Sequence, residues 1–315
     1  ACGQYLFDDE GKAVFVEMLR KQAGVCGVDV LAYCVMGNHF HLLVAVPEDV
    51  EISDSELLRR YRLLYSEKGC PPSSASPGVL AKLLEANDEE GQALRGRILA
   101  RMHDLSVFMR ELKQRFGIWY NHRYQNKGTI WAKRFTSVVV ESSREALTTV
   151  AAYIDLNPVR AELVDDPEDY AFSSYGSAMH GCRAARMGYR GVFCGEAKWS
   201  ELLPDYRGIL YGKGMMSKGS IGKDQGRIAP ELVDRVLSND GKLPLSDVLR
   251  NRVRYFTAGT AIGSDAFLLS VGGQWRERHG LDRKRHAYPM RCAEWGGLRS
   301  FRNLQVDPVE LSSLN

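Results

Sequence analysis

Apolar residues recur at helical spacing over residues 9–24 (DEGKAVFVEMLRKQAG), where Val14, Phe15, Met18 and Leu19 follow an acidic start and Gly24 offers a stop. The spacing predicts a helix. Two runs rich in valine and leucine follow, VDVLAYCVM and HFHLLVAV, joined by Gly37-Asn38. Turn chemistry between two such runs predicts a β-hairpin. From about 49 to 103 the pattern turns polar and helical, broken by CPPSSASPG at 70–78, and reads as a helical insertion carrying an exposed loop. Leu105, Phe108, Leu112, Phe116 and Trp119 then lay one apolar stripe along a helix over 104–121. A turn near Asn126-Lys127-Gly128 leads to a predicted strand, RFTSVVVES. The last clear element is a helix over 143–156 with Leu147, Val150 and Ile154 on one face; Pro158 restricts Asn157 and sets its end.

Helix, hairpin, helix, strand and helix in this order make up most of a ferredoxin-like split βαββαβ arrangement, an α+β sheet with helices on one face. Its opening strand would lie upstream of Ala1. The sequence opens Ala1-Cys2-Gly3-Gln4 without an initiator methionine, as a fragment or a processed product does. The expected organisation is a domain over 1–176 interrupted by the insertion at about 49–103, a loop and linker region over 177–227, and a small, mostly helical basic region over 228–315. The linker includes GKGMMSKGSIGKDQG at 212–226, which does not meet phosphate-loop spacing.

Composition narrows the function classes. With 44% apolar and 26% charged residues and no apolar run of membrane length, no membrane partner is expected. The seven cysteines are an odd set without a C-x-x-C pair, which predicts a reducing, cytoplasmic setting and no zinc. The net charge of +3 says little, but its distribution is uneven. Residues 110–135 hold seven Lys or Arg against one Glu, interleaved with six aromatic rings. Cations among aromatic faces suit single-stranded nucleic acid, with Arg115, Trp119, Arg123, Lys127, Trp131, Lys133 and Arg134 as candidate contacts. The same composition also suits a solvated basic helix face over an aromatic core. From Arg250 to Arg302 there are eleven Lys or Arg against four Asp or Glu, and SDAFLLSVGGQWRERHG with LDRKRH is a candidate helix-turn-helix-like contact.

Chemistry enters through two pairs. His39 and His41 stand two apart on a predicted strand, so both imidazoles leave the same face, as two ligands of one metal must. Tyr153 and Asn157 stand four apart, one helical turn. Two imidazoles and an amide oxygen suit Mg²⁺ or Mn²⁺. Each residue also has a plainer reading: locally hydrogen-bonded histidines, a core tyrosine, and a helix-end asparagine before proline.

Three ordered segments, AYCVMGNHFHLLV, RFGIWYNHRYQNKGTIWAKRF and AAYIDLNPVRAELVDDPEDYAFSSY, resemble the REP-associated tyrosine transposases of the HUH single-strand DNA transposase group. The resemblance covers about residues 5–50 and 104–176. It implies that His39 and His41 are paired metal ligands, that Asn157 is a third, and that Tyr153 is the nucleophile forming a 5′-phosphotyrosine. It also implies a palindromic single-stranded DNA hairpin as substrate, a nucleoid-associated cytoplasmic location, and a monomer or a homodimer. Members of that group open with a strand carrying a Tyr-His and an Arg-x-Asn segment, which this sequence lacks. A relative that binds hairpin DNA without cutting it, and an RNA-binding protein acting through aromatic stacking, are the alternatives.

Overall fold

The computed structural model describes residues 7–48, 51–67, 74–132, 134–211, 245–250, 252–258, 260–280, 286–291, 293–302 and 309–310. The fold is α+β and divides into two compact units, Ala1–Val30 with Val35–Phe135, and Leu31–Cys34 with Thr136–Asn315.

In the first unit, α1 (Asp9–Cys26) begins where the Asp8 carboxylate accepts from the Gly11 amide at 2.8 Å. It runs through Gly24 and ends at Gly27, whose φ of 65° is the left-handed conformation that glycine adopts without a Cβ clash. The predicted stop at Gly24 is therefore three residues early. Strand β2 (Phe40–Ala45) belongs to this unit and pairs, as the expected hairpin, with β1 (Asp29–Val35), whose residues Leu31–Cys34 are counted with the second unit. The insertion is helical, with α2 (Asp54–Tyr61), α3 (Pro77–Ala86) and α4 (Glu89–Leu99) capped by Ser53, Ser76 and Asp88. It builds its own apolar cluster around Leu57, Tyr61, Leu80 and Ile98. Within the expected loop, 70–73 lie outside the described residues, while Ser76 and Pro77 start α3. Helix α5 (Leu105–Arg123) packs on α1, and Phe116 meets Phe15 edge-on at 5.2 Å and stacks on Phe7 at 4.9 Å. Phe15 and Phe116 are fully buried, each contributing about 2 kcal/mol of apolar transfer.

The second unit begins with β3 (Val139–Val140), followed by α6 (Arg144–Asp155) and the four-residue helix α7 (Asn157–Arg160). Then come α8 (Ser174–Met179), α9 (Arg183–Val192) and α10 (Trp199–Tyr211). Every residue of α6 from Ala146 to Asp155 is buried. Further on lie β4 (Arg252–Val253), β5 (Ala261–Gly263), β6 (Tyr288–Pro289), β7 (Arg299–Ser300) and β8 (Val309–Glu310). The helix Asp265–His279 sets Leu268 and Val271 against Ala261 of β5.

Four expectations change. The predicted strand RFTSVVVES shrinks to β3, which pairs in parallel with β5 in a sheet of order β3-β5-β7-β6, while β1 and β2 form a sheet by themselves. Residues 183–211, expected as loop, are largely helical, because Ala185, Gly188, Tyr189 and Val192 form a buried stripe that small residues had disguised. The glycine-rich 212–226 stretch lies outside the described residues. Beyond residue 245, short strands alternate with helices where a mostly helical region was expected, and these residues belong to the same compact unit as α6. The proposed second helix of the helix-turn-helix-like element, at 281–285, is also outside the described residues.

A carboxylate anchors this unit. Asp155, with no exposed surface, accepts from the Tyr189 hydroxyl at 2.6 Å, the Ser174 hydroxyl at 3.0 Å and the Tyr175 amide at 3.3 Å, and also from the Tyr206 hydroxyl. Burial outweighs these donors and pushes its pKa from 3.8 up to about 6. The native state thus holds the proton more tightly than the unfolded chain. The associated stability is fully present below pH 4 and lost as pH rises through 6. About two pKa units correspond to roughly 3 kcal/mol. Urea unfolding between pH 4 and 7 should show wild type losing about that much relative to Asp155→Asn, and parallel pH curves for the two proteins would contradict the assignment.

Candidate active site

His39 immediately precedes β2 and His41 is its second residue, so the two-residue repeat of the strand sets both rings on one side. Their centroids are 5.1 Å apart and their planes perpendicular. Two imidazoles binding one ion side by side through bonds of about 2 Å have centroids about 5 Å apart, so this pair fits two neighbouring coordination positions. His39 Nδ1 lies 2.6 Å from Asn38 Oδ1. With Nδ1 as the donor, the lone pair resides on Nε2, the arrangement that second-shell acceptors impose on metal-binding histidines. Among the described residues no group of three or more His, Cys, Asp or Glu is placed to hold a metal ion.

In the other unit, Tyr153 is 3% exposed on α6. Its ring stacks against Phe256 at 4.5 Å, and the Arg160 guanidinium lies 4.0 Å from the ring centroid. Burial pushes the Arg160 pKa down to about 10, partly countered by the Tyr153 phenol. Its guanidinium also donates to the carbonyls of Tyr153 and Leu249. Asn157 lies past the end of α6 and opens α7, where its Nδ2 donates to the Ile154 carbonyl at 3.1 Å and the Tyr153 carbonyl at 3.4 Å. No hydrogen bond among the described residues uses its Oδ1, the atom suited to a hard cation. The structure therefore juxtaposes the two members of each pair, His39 with His41 and Tyr153 with Asn157, each within its own unit.

The candidate nucleic-acid contacts separate into two groups. Arg115 is engaged internally, donating to Gln22 Oε1 at 3.1 Å and to the Tyr65 hydroxyl at 2.8 Å. Trp131 joins the ring cluster of Phe7, Phe40 and Phe116 and donates Nε1–H to the Lys113 carbonyl at 2.9 Å. Trp119 is half-buried between Phe116 and Tyr124, and Arg123 pairs with Glu10 at 2.9 Å. Lys127 and Arg134 are exposed, with no ion pair among the described residues, and Lys133 lies outside them. The plainer aromatic-core reading thus accounts for Trp131 and in part for Trp119, while the exposed cations stay at the surface.

Sequence reasoning singled out neither Arg160 nor Phe256. Arg160 had a signal, since seven residues is about two helical turns and returns it to the face of Tyr153. Phe256, more than a hundred residues away, had none. The chain matches no family model, no curated protein and no solved structure. No described helix is long and apolar enough to cross a membrane.

Replacing Arg160 by Met leaves the carbonyls of Tyr153 and Leu249 without that donor, a loss of about 2 kcal/mol. Chemical denaturation of Arg160→Met should register it, and an unchanged midpoint would show that these bonds contribute nothing.

Proposed function

We propose that this protein is a metal-dependent single-strand DNA nuclease and strand transferase of the tyrosine type, acting on hairpin DNA. The observation that carries the reading is the histidine pair, whose separation and Nδ1 bond suit one cation, in a chain where the Arg160 guanidinium of α7 lies against the Tyr153 ring. The motif resemblance supplies the substrate class. The reading includes a ferredoxin-like sheet to which β1 and β2 contribute, and it assigns His39, His41, Tyr153 and Asn157 to one reaction.

In this mechanism His39, His41 and Asn157 would hold Mg²⁺ or Mn²⁺, which would supply positive charge against the scissile phosphate. Tyr153 Oη attacks phosphorus. The Oη–P bond forms, the bond from phosphorus to the 3′ oxygen breaks, and the 3′ oxygen takes up a proton equivalent to the one the phenol gives up, leaving as a free 3′-hydroxyl. The 5′-phosphotyrosine preserves the energy of the phosphodiester, so an incoming 3′-hydroxyl can reverse the step and join a new strand. A phenol with pKa about 10 needs help to ionise, and the cation that the structure sets beside this ring is the Arg160 guanidinium, 4.0 Å from its centroid. Phe256 covers one ring face and must move aside for a phosphate to approach in line.

A denaturing gel with a labelled single-stranded hairpin and Mn²⁺ should show a protein-DNA adduct that disappears with EDTA, in Tyr153→Phe and in His39→Ala/His41→Ala, while Tyr153→Phe still binds the DNA. An adduct formed by Tyr153→Phe would remove Tyr153 as nucleophile. Binding without any adduct under all conditions favours the non-cutting relative.

Lys127→Ala/Arg134→Ala should weaken binding of single strands and reduce the slope of log K against log salt by about 1 to 2. A slope unchanged in filter-binding titrations would place the DNA path elsewhere.

A further inference from the structure

A second place in the first unit holds polar groups without partners. Where α1 ends and β1 begins, a cavity of about 250 Å³ is bounded by Gly27, Asp29, Arg59, Arg60 and His103. His103 also borders a neighbouring cavity that reaches Ser53 and Arg95. Arg60 donates Nε–H to Glu56 Oε1 at 2.7 Å, yet its Nη1 is out of solvent and has no hydrogen-bond partner. His103 carries a φ of 54°, a conformation that a residue with a Cβ adopts at a cost and that concentrates at ligand-binding positions. Its amide donates to the Cys26 carbonyl at 2.7 Å, which fixes the backbone in this state. No hydrogen bond among the described residues engages its imidazole.

The two side chains converge. A Cβ built on Gly27 would stand 2.4 Å from both Arg60 Nη1 and His103 Nε2, so these nitrogens lie within about 5 Å of each other over the bare glycine. A guanidinium N–H and an imidazole nitrogen facing one small space, with no acceptor between them, need an acceptor carrying negative charge. Asp29, the carboxylate on the cavity wall, is exposed, and Glu56 is already occupied by Arg59 and by the other side of Arg60. The cavity has room for a tetrahedral oxyanion.

We propose that this cavity is a phosphate-type oxyanion site in which Arg60 Nη1 and His103 donate, and the bare Gly27 lets these two nitrogens approach one another at the cavity wall. The site is independent of the reading of Tyr153. Its ligand is either a phosphate of a nucleic-acid backbone or free phosphate, the same chemistry from two sources.

Calorimetric titration of the full chain with inorganic phosphate at constant ionic strength tests this. One saturable site is expected, with affinity reduced at least tenfold in His103→Gly and in Arg60→Gln. Glycine accommodates the backbone at 103 without strain, so His103→Gly is the variant designed to keep the fold; should it fail to fold, Arg60→Gln decides. Competition by oligothymidylate assigns the site to a nucleic-acid backbone, and phosphate binding undisturbed by oligothymidylate assigns it to the free ion. The absence of a saturable site, or wild-type affinity in the deciding variant, overturns the proposal.

Discussion

Taking the Asp155 carboxylate out of water carries a desolvation cost that its ring of donors only partly offsets. Those donors come from α8, α9 and α10, on residues 19, 20, 34 and 51 positions further along the chain. One side chain at the end of α6 therefore gathers three other helices, and it stands two residues from Tyr153. Ser174, one of the donors, also accepts the Tyr33 amide at 3.0 Å and donates to its carbonyl at 3.2 Å, tying the middle of β1 into the same network. The polar centre sets direction as well as position, because hydrogen bonds to a single carboxylate are satisfied in only a few arrangements of the helices around it.

Around Tyr153 the environment is asymmetric. One flank is an aromatic ring, Phe256, and the other a guanidinium, Arg160. The aromatic side contributes apolar packing, and the cation side contributes the attraction between a guanidinium and a ring face. The guanidinium is held by two backbone carbonyls, so its position depends on α6 and on Leu249 and needs no carboxylate to fix it.

Local features were legible in the sequence and distant ones were not. The α1 and α5 stripes, the hairpin and α6 follow from short-range periodicity, and the facing of His39 and His41 follows from strand geometry alone. The helix end that Pro158 sets before Asn157 agrees with the end of α6 at Asp155, and Asn157 then opens α7. Asp155 was not singled out, because its partners lie 19 to 51 positions further along the chain, beyond the reach of local periodicity. Helix α9 was missed because its buried stripe uses Ala185, Gly188 and Tyr189 in place of leucine, and α10 carries Pro204 within it. Strands of two or three residues have no periodicity to detect, so of the four-stranded sheet only β3 was anticipated, within a longer predicted strand.

That sheet has a consequence for how the chain acquires its structure. Val139 and Ala261 are register partners although 122 positions separate them. Parallel pairing over such a distance raises the contact order and delays closure of the ladder, because the loop entropy has to be lost before the hydrogen bonds form. On a ribosome, the segment carrying Tyr153 would be made well before the strand that completes its sheet. For that interval the edge of β3 has no neighbour, and premature association with other chains competes with folding.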